Sequence, residues 1–193
     1  NESHTTIETK SGQAPFWIAL DEIQDPQNLG SILRTAHFFG VDGVVLSSKN
    51  SAPLSSAVAK VSAGAVEFID IYSTSNLVKF LKACDGWQVI GADVGTEKTL
   101  TVQEFAQLAH EPTLLVLGNE GTGIRTNVKL CCSAFTSIPG KPIKFRGDVD
   151  SLNVGVAAGV LIAHARLHRA KYMKQAQVNS DTVIAPMCAA NVH

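Results

Sequence analysis

Apolar runs of strand length alternate with stretches of helical periodicity along most of the chain. FWIAL (16–20) is continuously apolar, and in the following LGSILRTAHFFG the residues Leu29, Ile32, Leu33, Ala36 and Phe39 recur on one helical face, with Gly40 as the stop. GVVLS (43–47), FIDIY (68–72), WQVIGAD (87–93), TLLVLG (113–118) and AFTSI (134–138) read as five further strands. Between them lie SAVAKVSAG, NLVKFLKAC with Leu77, Phe80, Leu81 and Cys84 at core spacing, VQEFAQL, and a helix from about Ile124. Most of the strands are apolar throughout instead of alternating, as strands covered on both faces are. The pattern predicts an α/β fold: a mostly parallel six-stranded sheet with helices on both faces.

The closing helix, DSLNVGVAAGVLIAHA (150–165), departs from the usual amphipathic pattern. From Val154 to Ala163 it carries no polar side chain on any face, which predicts burial on all sides. Ser151 reads as its cap, with Asn153 in the first turn. Residues 1–15 form a polar leader expected to be disordered, 16–170 a single domain, and 171–193 a poorly ordered tail.

Composition narrows the class. At 193 residues, 45% hydrophobic, the chain supports one domain with a substantial core. Its longest apolar stretch falls short of the roughly 20 residues that span a bilayer, so no membrane partner is expected. Cys84, Cys131, Cys132 and Cys188 show no CxxC spacing, and His4, His37, His110, His164, His168 and His193 show no metal-ligand spacing. No metal is expected. Sixteen basic against seventeen acidic residues give a net charge of −1, which argues against a freestanding nucleic-acid module that relies on a strongly basic field.

In an open parallel sheet, ligands collect beyond the carboxyl ends of the strands. Three loops lie at such ends: DEIQDPQNLG (21–30), GNEGTG (118–123) and PGKPIKFRGDVDSLN (139–153). GNEGTG lets backbone amides approach a ligand, but no GK[ST] follows it and its spacing is not the dinucleotide fingerprint. Glu120, a carboxylate amid glycines, has few packing reasons to be there. Taken alone, Asn28 reads as the cap of the helix beginning at Leu29, and Arg34 and His37 share a solvated face. Loop chemistry alone leaves a dinucleotide-dependent oxidoreductase open.

Taken together, NLGSILRT (28–35), LGNEGTGI (117–124) and SIPGKPIKFRGDVDSLNVGVAAG (137–159) resemble the three motifs of the SpoU/TrmH family of RNA ribose methyltransferases, in the SPOUT superfamily. The resemblance covers residues 16 to 169 and lies nearest the family's mitochondrial large-subunit rRNA branch. It implies a C-terminal deep trefoil knot, S-adenosylmethionine (SAM) as cofactor, a homodimer through the knot helices, and methyl transfer to a ribose 2′-hydroxyl of a guanosine in large-subunit rRNA, in the mitochondrial matrix. By motif match, Asn28, Arg34, Glu120, Ser151 and Asn153 are the catalytic set, with Arg34 at the 2′-oxygen. Leu117, Gly118, Ile138, Leu152 and Asn153 would hold SAM, and Arg34, Lys141, Lys144 and Arg146 would contact RNA. The family's usual N-terminal RNA-binding domain is not among these 193 residues. Methylation of tRNA, or a catalytically idle RNA-binding or assembly role, are the alternatives.

Overall fold

A computed structural model describes residues 14–93, 99–140 and 151–182, with side chains to 175. Its sheet has seven strands: β1 (Phe16–Asp21), β2 (Gly43–Ser47), β3 (Ile71–Thr74), β4 (Gln88–Ala92), β5 (Thr99–Leu100), β6 (Thr113–Gly118) and β7 (Ala134–Thr136). The order is β3-β2-β1-β6-β4-β7-β5, and every pairing is parallel. The helices are α1 (Pro26–Phe38), α2 (Ser56–Val61), α3 (Leu77–Lys82), α4 (Val102–Leu108), α5 (Thr126–Lys129) and α6 (Val154–Thr182).

Side-chain alternation along the strands builds two cores. Phe16, Ile18 and Leu20 of β1 join Leu115 and Leu117 of β6 under α1, α4 and α6, while Trp17, Ala19, Leu114 and Val116 face α3 and α5. Helices therefore cover both faces. Each strand is apolar on both sides because each side has its own helical layer, which is the physical basis of the unbroken runs.

Several expectations need correction. The seventh strand, β5, is a two-residue edge segment paired with β7 and too short to show periodicity. The strand expected at FIDIY begins only at Ile71, since Ala65–Glu67 forms a 3-10 turn that leaves Phe68 exposed. Asp25, not Asn28, caps α1: its side chain accepts from the Gln27 amide at 2.8 Å, and Pro26 supplies a preset φ at the first helical position. The cap of α6 is Asn153 and not Ser151, its Oδ1 accepting from the amides of Gly155 (2.9 Å) and Val156 (3.3 Å). That helix continues to Thr182 and takes in residues 171–182. Burial of α6 is one-sided within this chain. Ala158, Leu161, Ile162 and Ala165 lie in the core, whereas Val156 is 53% and Leu167 58% exposed. No helix among the described residues is long and apolar enough to cross a membrane.

Candidate active site

The carboxyl ends of β6, β4 and β7 form the floor of a cleft of about 380 Å³. Leu117, Gly118, Ile138, Leu152 and Asn153, the expected cofactor residues, all line it, as do Glu120 and Ser151. Its size is in the range of small-molecule sites, and Val154, Ala157 and Leu161 of α6 extend the apolar wall.

Three distant segments are tied together at one rim by a chain of side-chain hydrogen bonds. Asn153 Nδ2 donates to Asn28 Oδ1 at 2.9 Å, and Asn28 Nδ2 donates to Glu120 Oε1 at 3.1 Å. Glu120 also accepts from the amides of Asp25 (3.1 Å) and Gln24 (3.3 Å), so the strand-to-helix turn before α1 closes on the glycine turn after β6. Asn28, only 8% exposed, is therefore satisfied at both ends of its amide by the other two segments. Partial burial pushes the Glu120 carboxyl up, but its own backbone amide and the donors at Asn28, Asp25 and Gln24 outweigh this and hold it below the ordinary carboxylate range. Glu120 thus stays charged near neutrality, and as a weak base it suits holding a loop better than taking a proton.

This chain of bonds yields a direct expectation. Asn28→Ala removes two bonds and strands Asn153 Nδ2, which should cost about 1–3 kcal/mol in chemical denaturation. Because the folded-state carboxyl of Glu120 is depressed, its contribution is present above the unfolded value near 4.3 and fades as pH falls through the folded value. In the Asn28→Ala protein one depressing donor is gone, so the acid limb of a stability-versus-pH curve should move toward higher pH.

The glycine turn is itself a tight hairpin. Asn119 and Gly123 exchange backbone bonds at 3.0 and 2.9 Å, and Asn119 Oδ1 accepts from the amides of Gly121 and Thr122 at 2.9 and 3.1 Å. Gly118 has no room for a side chain, since a Cβ there would stand 2.3 Å from the Gly123 carbonyl carbon and the Ile124 nitrogen. Beneath the turn, the fully buried Asp21 accepts from Arg125 Nε at 2.8 Å and from its backbone amide at 3.0 Å, while Arg125 Nη1 reaches Glu22 at 3.1 Å. Asp21, Asn119 and Arg125 escaped the sequence reading; the visible signal was a carboxylate ending an apolar strand.

Arg34 is placed differently. It lies on the outer face of α1, exposed, with no hydrogen bond or ion pair among the described residues, and it does not line the cleft of its own chain. His37, one turn on, stands beside the exposed Phe68 with ring centroids 5.8 Å apart. Lys141, Lys144 and Arg146 lie outside the described residues. Among the described residues no group of His, Cys, Asp and Glu is arranged to hold a metal ion.

Comparison with known proteins gives this geometry its context. Human "rRNA methyltransferase 1, mitochondrial" is 44% identical over 170 residues, covering 80% of this chain and 47% of the relative. The chain spans half or less of the length of that protein and of its Dictyostelium and fission-yeast counterparts. The crystal structure of an AdoMet-bound rRNA methyltransferase from Sinorhizobium meliloti matches with a TM-score of 0.67 at 27% identity, over 81% of this chain and 57% of that one. The SpoU methyltransferase AviRb from Streptomyces viridochromogenes shares the fold, with a TM-score of 0.71 at 23% identity over 83% of this chain and 62% of that one. The SpoU rRNA Methylase family model matches residues 15–163, a span that contains the sheet, the cleft and the hydrogen-bonded rim, and the chain belongs to that family.

Proposed function

We propose that this chain transfers a methyl group from SAM to a ribose 2′-hydroxyl of RNA, namely a guanosine of large-subunit rRNA in the mitochondrial matrix. The observation that carries the reading is the Asn153–Asn28–Glu120 chain of hydrogen bonds, which draws all three motif segments to the rim of one cleft. The cleft fits the donor: Leu117, Ile138 and Leu152 offer apolar walls to an adenine ring, with backbone groups of the Gly118 turn beside them. When bound, SAM supplies a methyl group activated by its sulfonium. The protein's part is to hold the 2′-oxygen in line with that methyl and to exclude alternatives.

Arg34 supplies positive charge for the oxygen as its proton leaves. A guanidinium above about pKa 12 does not serve as a base at neutral pH, so it stabilises the developing alkoxide. Glu120, with its oxygens committed to four other donors, positions the turn. An RNA phosphate or water accepts the proton. Ser151 and Asn153 orient the ribose at the start of α6, and Lys141, Lys144 and Arg146 bind RNA phosphate.

The exposed apolar side of α6, with Val156 and Leu167, suits packing against a second copy, and the carboxyl-terminal segment, tucked through a preceding loop as a trefoil knot, forms the homodimer core. A partner would also bring a second Arg34 toward the cleft that its own chain leaves without one. The test is transfer of labelled methyl from SAM to purified rRNA fragments and tRNA, with 2′-O-methyl mapping. Label on rRNA ribose guanosine is expected; label on tRNA alone, or none on ribose, overturns the assignment. Sedimentation should give twice the chain mass, and Val156→Glu should halve it.

A further inference from the structure

Of the three non-glycine residues with a left-handed backbone among the described residues, two are bonded to each other just past the carboxyl ends of β1 and β2. They are Glu22, at φ 60°, and Asn50, at φ 55°. Asparagine visits this region readily, but glutamate rarely does. Such a conformation persists only where its surroundings over-determine it, and outliers of this kind gather at functional sites.

The surroundings of Glu22 do so. Its amide donates to Ser47 Oγ at 2.8 Å, and its carbonyl accepts from Asn119 Nδ2 at 2.8 Å. Its carboxylate, 17% exposed, accepts from Asn50 Nδ2 at 3.2 Å and pairs with Arg125 Nη1 at 3.1 Å. The guanidinium is itself anchored on Asp21, at 2.6 and 2.8 Å. Every polar group of Glu22 is thereby engaged, and the residue joins the ends of β1 and β2 to the turn after β6 and the start of α5.

The bond to Asn119 is the one that reaches the cleft. Asn119 Oδ1 holds the amides of Gly121 and Thr122, and residues 118–123 all line the cavity, whereas Glu22, Asn50 and Arg125 do not. Further along the same segment, the amides of Gln24 and Asp25 hold Glu120. The backbone direction taken at Glu22 therefore governs what the segment presents to the turn: a carbonyl for Asn119 and two amides for Glu120. The carboxylate, clamped by Asn50 on one side and Arg125 on the other, keeps that direction.

We propose that Glu22 is a positioning residue for the methyl donor, its clamped left-handed backbone setting the glycine turn that receives the ligand. This inference rests on the SAM reading above. Glu22→Gly separates positioning from support of the fold. Glycine takes φ 60° at no steric cost, which offsets the lost side-chain bonds, so Tm is expected to stay within about 4 °C. With the clamp gone, isothermal titration should show S-adenosylhomocysteine binding weakened about 10-fold, the lower end of what a hydrogen bond to a charged group is worth. In the ligand-free variant the amides of Gly121, Thr122 and Gly123 should exchange hydrogen about 10-fold faster, because the turn opens more often. Glu22→Gln keeps an acceptor for Asn50 and Arg125 without the charge and should bind within about threefold of the unsubstituted protein. Unchanged affinity in Glu22→Gly, or weaker affinity with unchanged amide exchange, overturns this inference alone. Absence of heat with the unsubstituted protein overturns the methyl-donor reading and this inference with it.

Discussion

Arg34→Ala is expected to reduce methyl transfer to RNA by roughly 100- to 10,000-fold, the range found when a group that stabilises developing charge is removed. Donor affinity should stay within about twofold, because the side chain does not line the cleft of its own chain. Folding stability should stay within about 0.5 kcal/mol, since an exposed residue without partners among the described residues supports no packing. That separation makes the result interpretable: loss of activity with intact fold and donor binding is a chemical effect. Arg34→Lys should recover part of the rate, since it restores the charge without the planar fork. Single-turnover methylation beside isothermal titration makes the measurement, and turnover equal to the unsubstituted protein would remove Arg34 from the mechanism.

Gly118→Ala is expected to be the most damaging single methyl addition near the cleft. The new Cβ would meet the carbonyl carbon of Gly123 and the nitrogen of Ile124 at 2.3 Å and the Gly123 oxygen at 2.6 Å. All three are backbone atoms, and the Asn119–Gly123 bonds pin the strand that would have to move. Overpacking against a soft side chain costs about 1–3 kcal/mol, and this contact belongs at or above the top of that range. For a chain of this size, 3 kcal/mol corresponds to a drop in Tm of about 6–12 °C. If the turn opens instead, donor binding should be lost, since the same turn lines the cleft. Gly121→Ala is the contrasting case: its Cβ would meet only Asn119 Oδ1 at an ordinary 3.6 Å, so little change is expected. Thermal denaturation of the pair decides the matter.

What the sequence reveals depends on where the determining interactions lie. FWIAL, GVVLS and TLLVLG declare themselves because central strands must be apolar on both sides, and that requirement is local. β5 does not, because Thr99 and Leu100 become a strand only through β7. FIDIY misleads for a related reason: Ile69 is buried and Phe68 exposed, an alternation that serves a turn as well as a strand. In the site, Asn28, Glu120 and Asn153 stand out through their motif surroundings. The ion pair of Asp21 with Arg125, 104 residues apart, and the placement of Asp93 at the cleft floor are consequences of strand order that no spacing rule contains. The one-sided burial of α6 shows a different limit, because a helix without polar residues signals that contact is needed without saying how much comes from its own chain.

The position of β6 has a consequence for assembly during synthesis. β1 and β4, the strands on either side of it, are both synthesised before residues 113–118, and until those exist β1 has no partner on its inner side. The β3-β2-β1 half-sheet, with its inner edge unpaired, and a lone β4 must therefore wait for a late segment, and closing such long loops is slow relative to local contacts. Nascent chains stalled before Thr113 should be the most aggregation-prone species on the route to the folded state.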